Sequence, residues 1–296
     1  MDAVQLLLWP FLACLILTGI HAYLGLHVVE RGVIFVDLAL AQVAALGSTV
    51  AVLAGFDLHD RAAYLFSLSF TLAGAGIFSM IRSKRSRIPH EAIIGIVYAV
   101  SAAGAILIMD RLPEGAEHLK HIMVGNLLAA DHAEILKMAA IYSGVGVLHW
   151  IFRKPLLAIS TNQNPEVGGY KVRWWDFLFY ATFGLVVTSS VQIAGVLLVF
   201  SFLIVPPVTA MLYTKSLGAR LTFGWIMGAA VSFLGIYGSY RWDTPTGATV
   251  VCVFGGALLI LAAVRPLFRR TLQNRTIPAI EDRPSSPSAT MGRSSH

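Results

Sequence analysis

Asp37 and Gln42 are polar side chains set inside an apolar run, Gly32-Val-Ile-Phe-Val-Asp37-Leu-Ala-Leu-Ala-Gln42. A carboxylate and an amide oxygen are hard donors that suit a divalent cation such as manganese. Five residues apart, they stand roughly 140° around a helix and flank one broad face rather than stack. Ionisable groups inside membrane spans line a pathway or find a partner, and for Asp37 the available partner is Arg31. Glu117-His118-Leu-Lys-His121 places two imidazoles three residues apart on one helix face. That spacing can bind a divalent metal through nitrogen, although two ligands alone do not make a site. His21 and His27 end the first apolar run, with Glu30 and Arg31 just after. His21 reads first as an interhelical hydrogen-bonding group and His149, beside Trp150, as an interface residue without a role. Glu91, behind Pro89-His90, reads as a capping group or a charge on a helix dipole.

The elements that must position these groups are set by composition. Of the 296 residues, 56% are hydrophobic and 13% charged, and mean hydropathy is +0.72. Soluble domains average about 25% charged residues, so a water-soluble enzyme is disfavoured. The two cysteines, Cys14 and Cys252, lie in apolar runs and offer neither a disulfide framework nor a thiolate metal site. Spans of about 20 apolar residues are read near 4–26, 33–55, 62–81, 91–109, 133–152, 174–191, 193–213, 222–240 and 245–264. The expectation is therefore an all-α, polytopic transmembrane bundle of eight to nine spans. The step Ser189-Ser190-Val191-Gln192 is a tight turn or a kink, and Gly195 and Pro206-Pro207 mark where the backbone of the following apolar span approaches a neighbour or breaks, the prolines bending it. Gly224-Trp-Ile-Met-Gly228 has the spacing that lets helices pack closely.

Lys and Arg orient the bundle. With the N-terminus outside, 17 of the 22 basic residues fall inside, in clusters between apolar runs rather than along a nucleic-acid-binding face. The outer side then collects Asp57, Asp60, Asp110, Glu114, Glu117, Asp131, Glu134 and Asp243 with His59, His118, His121 and His132. Such a face suits an arriving cation, and acidic loops are also what solvation alone produces. Residues 1–270 read as the membrane domain and 271–296, rich in Pro and Ser, as a disordered cytoplasmic tail. No G-x-x-x-x-G-K-[ST] motif occurs, so the chain has no P-loop of its own.

Several segments, collinear over roughly 15–264, resemble the membrane permease subunit of bacterial zinc/manganese/iron ABC importers, the ABC-3 family. They are Arg31-Gly32 through Ala45-Leu46-Gly47, Glu91-Ala-Ile-Ile-Gly95-Ile, His121-Ile-Met-Val-Gly125-Asn126-Leu-Leu-Ala129 and Lys154-Pro155-Leu-Leu-Ala-Ile159-Ser160. Ile193-Ala-Gly195, Leu203-Ile-Val-Pro206-Pro207-Val-Thr-Ala210 and Asp243-Thr-Pro245-Thr-Gly247-Ala-Thr-Val-Val251 continue the series. The resemblance implies a bacterial inner-membrane homodimer, two cytoplasmic ATPases and an extracytoplasmic metal-binding protein that delivers the cargo. It implies no bound cofactor, the metal ion being what is carried. It assigns Asn164, Pro165, Glu166, Gly168 and Gly169 to the loop that docks into the ATPase, with Pro165 suited to start a helix and Gly168-Gly169 to end it. His121 keeps a position where many members have His, and Asp243 keeps an acid before Pro-x-Gly. In the second span the family pairs an Asp with a His four residues on. Here, aligned without gaps, Asp37 falls one position early and Gln42 replaces the imidazole. The metal pathway expected from residues and resemblance together is Asp37, Gln42, His118, His121 and Asp243.

Two alternatives stand beside this reading. A permease for a metal chelate of the siderophore or cobalamin type would have a larger and more polar cavity, and the motifs resemble that class less. An intramembrane metal-dependent enzyme would need a motif such as His-Glu-x-x-His, and His90-Glu91 is followed by Ile93-Ile94 with no second His at that spacing.

Overall fold

The long apolar runs become helices because a chain in hydrocarbon must satisfy each N–H and C=O within itself. The computed structural model describes residues 3–57, 60–81, 88–111, 125, 127–161 and 172–276. Its helices are α1 (Ala3–Arg31), α2 (Val36–Leu53), α3 (Arg61–Ile81), α4 (His90–Met109), α5 (His132–Ile151), α6 (Arg153–Thr161), α7 (Val172–Tyr213), α8 (Leu217–Trp242) and α9 (Thr246–Thr276), with a 3₁₀ turn at Leu127–Ala129. There is no strand among the described residues, and the all-α expectation holds. Among the described residues seven helices are long and apolar enough to cross a membrane, or eight if α5 and α6, bent by 80° at Phe152, form one span.

Helix α7 is the hub, packing on α1, α2, α3, α5, α6, α8 and α9. Its Phe179, Tyr180, Phe183 and Phe202 are fully buried, as are Phe78 of α3 and Phe254 of α9. Lipid tails are as apolar as these side chains, so close packing rather than water exclusion holds the helices together. The alanines Ala39, Ala41, Ala44 and Ala45 of α2 are buried and allow α3 and α4 to approach. Outward-facing Leu65, Met80, Val100, Leu107, Leu259 and Ile260 form the apolar jacket. Gly224 lies against Pro206 and Ala22, and Gly228 against Thr18, so the expected small-residue face is where α8 meets α1 and α7.

One boundary differs from expectation. Residues 189–192 are neither turn nor kink, because helix continues through them. Ser189 Oγ donates to Leu185 O and Val186 O, and Ser190 Oγ donates to Val186 O. The hydroxyls are therefore satisfied by their own helix. The break falls at Gly195, with φ 76° and ψ 159°, a region essentially confined to glycine. At 42 residues, α7 would measure about 63 Å unbroken, twice the hydrocarbon thickness. Gly125, at φ 68°, is pressed against the break, where a Cβ would stand 2.3 Å from Ala194 C and 2.4 Å from Gly195 N.

The two prolines remain inside α7 without non-helical backbone. Pro207 has no N–H for the Leu203 carbonyl four residues back. That carbonyl instead faces Gly25 of α1, where a Cβ would lie 1.8 Å from Leu203 O. At the other end of the chain, α9 continues to Thr276, past the boundary drawn at 270. The rest of the tail lies outside the described residues.

Candidate transport pathway

Asp37 sits in the first turn of α2 and is 1% exposed. The preceding Phe35 caps the helix without a side-chain hydrogen bond of its own. Its N–H donates instead to Glu91 Oε1 of α4 at 2.9 Å. Glu91 is therefore a capping group, as its type suggested, but for the neighbouring helix rather than its own. Asp37 Oδ1 and Glu91 Oε2 are both buried without a hydrogen-bond partner among the described residues. The start of α2 thus carries two carboxylates, each with one uncommitted oxygen, at the positive end of a helix dipole that offsets part of their charge. Gln42 is also buried, further along the same helix.

Arg31 is not the partner of Asp37. Its Nη1 donates to Asp176 Oδ1 of α7 at 2.7 Å, and its Nε donates to Ser160 Oγ of α6 at 2.9 Å. The guanidinium carbon lies 3.9 Å from the Phe179 ring centroid, a stacked cation–π arrangement that suits a planar, weakly hydrated cation. Glu30, the residue before it, pairs with Arg220 Nη1 of α8 at 2.5 Å.

Along α1 the polar groups form two buried levels. In the first, His21 Nδ1 donates to Leu17 O at 2.9 Å, and its Nε2 lies 3.2 Å from Ser190 Oγ, which also bonds the Tyr142 hydroxyl. In the second, His27 Nδ1 lies 2.7 Å from Ser160 Oγ, and His149 is 2.8 Å from Thr182 Oγ1 and 3.3 Å from the Tyr23 hydroxyl. The His27 and His149 ring centroids are 6.5 Å apart. His21 is the interhelical group its position suggested, and His149 is an interface residue buried among polar partners. Sequence reasoning did not single out Asp176, Thr182 or Tyr142, named Ser190 only as part of a turn or kink, and named Ser160 only within a matching segment. An acid within a turn of the Val172 helix start, Asp176, was the one available signal.

Asp243 ends α8 with left-handed backbone, φ 52° and ψ 48°, and is exposed. The Glu30–Arg220 pair fixes the start of α8 beside the end of α1. The 26-residue α8 then carries Asp243 about 39 Å away, so it shares no site with Asp37. His118, His121, Asn164, Pro165, Glu166, Gly168 and Gly169 lie outside the described residues. Among the described residues no group of three or more His, Cys, Asp or Glu is placed to hold a metal ion. What the described geometry offers is a buried carboxylate at the start of α2.

The fold and sequence have close counterparts. The chain is 29% identical over 253 residues to a probable iron transport system membrane protein of Haemophilus influenzae, covering 85% of this chain and 91% of the relative. It is 29% identical over 235 residues to the manganese transport system membrane protein MntC of Listeria innocua, covering 79% and 81%. The solved structure of PsaBC from Streptococcus pneumoniae in complex with Fab matches with a TM-score of 0.75 at 24% identity, covering 93% of this chain and 98% of that one. That likeness shows a shared fold. The model of the ABC 3 transport family matches residues 3–265, nearly the whole helical bundle just described, and the chain belongs to that family.

Proposed function

We propose that this chain is the membrane permease subunit of an ATP-binding-cassette importer for a divalent transition-metal ion, zinc, manganese or iron, in the bacterial cytoplasmic membrane. The observation that carries the reading is Asp37: a carboxylate with an unpartnered oxygen, buried in the second membrane helix of an ABC 3 family chain. Relatives described as iron and manganese transport membrane proteins support the cargo class. Carboxylate and amide oxygens favour manganese or iron(II) over zinc, which prefers imidazole and thiolate.

In this reading residues 1–270 form the permease and 271–296 a cytoplasmic tail. Two copies assemble with two ATPases, and a metal-binding protein docks on the outer face, near His118, His121 and Asp243. The cation then passes Asp37 and Gln42, held weakly enough to leave. Residues 162–171, with Asn164, Pro165, Glu166, Gly168 and Gly169, dock into the ATPase that supplies the energy, since this chain has no P-loop.

The test is ATP-driven uptake of manganese, iron(II) and zinc by proteoliposomes holding the permease, its ATPase and the loaded binding protein. Uptake of one of these ions, lost in Asp37→Ala with folded protein retained, is the expected result. No uptake of any free ion would overturn it. A chelated cargo is the second reading, and uptake of a chelate with none of the free ion would establish it.

A further inference from the structure

The helices that enter and leave residues 162–171 are both tied to one side chain. Arg31 donates from Nε to Ser160 of α6 at 2.9 Å and from Nη1 to Asp176 of α7 at 2.7 Å. Ser160 is next to last in α6, and Asp176 lies in the first turns of α7. A guanidinium presents its N–H groups in a fixed planar fork, so the two acceptors are held in set directions. The Arg31 and Asp176 side chains are 1% and 0% exposed, and the Phe179 ring covers the cation. A charge-assisted bond between buried groups is stronger than the same bond in water.

Arg31 is also the last residue of α1, and the short turn after it leads into the first turn of α2, where Asp37 lies. Its neighbour Glu30 holds Arg220 near the start of α8. A displacement of the two stalks at Ser160 and Asp176 therefore has a bonded route to the start of α2 and a branch to α8. Buried ion pairs are a poor source of stability, because apolar side chains of similar volume do as well or better. What such a replacement lacks is the directional bond to two separate helices.

We propose that Arg31 is a positioning residue for transport: its guanidinium makes the stalks of the 162–171 segment and the end of α1 one rigid unit, so that movement imposed by the ATPases reaches the α1–α2 turn and Asp37. The inference rests on the reading of the chain as an ATP-driven permease. Its readout is coupling, which a merely structural role would not move.

The experiment compares the wild type with Arg31→Gln in the complete complex of permease, ATPase and binding protein. Two quantities are read: manganese taken up per ATP hydrolysed, and the change in hydrogen exchange of the 30–38 peptide when nucleotide is trapped with vanadate. For Arg31→Gln, hydrolysis should stay within about twofold while uptake per ATP falls at least ~10-fold, and the nucleotide-induced exchange change should vanish. The double variant Arg31→Met with Asp176→Leu removes the charges together; it should fold and show the same uncoupling, and it decides the matter if Arg31→Gln does not fold. An unchanged ratio with an unchanged exchange response, or a parallel fall of hydrolysis and uptake, overturns the proposal. A wild-type complex that hydrolyses ATP without moving manganese refutes only that cargo, and the exchange response then decides alone. A chain that assembles with no ATPase refutes both readings.

Discussion

The backbone N–H of Phe35 donates to the Glu91 carboxylate at 2.9 Å, so the fourth helix closes the open end of the second. The bond links two chain segments that flank α3 and sets the position of the turn on which Asp37 stands. Replacing Glu91 by Ala removes the cap, for which the expected cost is about 0.5–2 kcal/mol. Gln retains an acceptor oxygen and should cost less. Thermal unfolding in detergent checks the order, wild type above Glu91→Gln above Glu91→Ala, and equal midpoints would show that the bond contributes nothing.

Asp37 should separate function from stability. Burying a carboxyl oxygen without a partner costs about 1–3 kcal/mol or more, so removing the group relieves a strain rather than a support. Asp37→Ala and Asp37→Asn are expected to unfold no earlier than the wild type while ATP-driven uptake falls by at least ~10-fold. A variant with clearly lower thermal stability would show that Asp37 is a structural partner after all.

Backbone contacts at two glycines should be intolerant of a single methyl. At Gly125 a Cβ would meet the Ala194–Gly195 peptide, and at Gly25 it would meet Leu203 O. Both Gly125→Ala and Gly25→Ala should cost more than about 2 kcal/mol, the scale of overpacking and backbone strain. Gly144→Ala, in helix α5 with nothing within 4 Å of the added carbon, is the contrast and should stabilise by about 0.5–1 kcal/mol. Folded yield from size-exclusion chromatography with melting curves separates the three.

Ser190 joins Tyr142 of α5 to His21 of α1. Ser190→Ala strips a partner from two buried groups at once and should cost roughly 2–4 kcal/mol, whereas Tyr142→Phe removes one donor and should cost about 1 kcal/mol. A double-mutant cycle read by chemical or thermal unfolding checks this, and a larger loss for Tyr142→Phe would contradict the geometry.

The span pattern, the burial of Asp37 and Gln42, and the Gly224/Gly228 packing face were legible because each leaves a local mark: a long apolar run, a charge inside it, a four-residue spacing. The break in α7 was misplaced by a few residues for a physical reason. Ser189, Ser190 and Gln192 look like a polar turn in composition, but the serine hydroxyls bond carbonyls of their own helix, and the residue that turns the chain is Gly195, which its residue type had marked as a place where a backbone approaches or breaks. Asp37 and Arg31 are close in sequence and opposite in charge, which made them natural partners. The arginine instead reaches Asp176, and nothing local in the chain marks a contact across that separation. His27 and His149 likewise come together only once α1 and α5 are packed. Asp243, an acid in a matching motif, stands at the end of α8 away from Asp37, a separation that a motif match does not convey.

The double tie of Arg31 bears on how such a subunit is matched to its motor. With both stalks anchored at Ser160 and Asp176, the stretch between them can change in sequence and length without shifting its points of attachment. In the proposed importer, recognition of a particular ATPase is thereby separated from the bundle that conducts the ion. Grafting the 162–171 stretch of a relative onto this chain should redirect it to that relative's ATPase and leave its choice of metal unchanged.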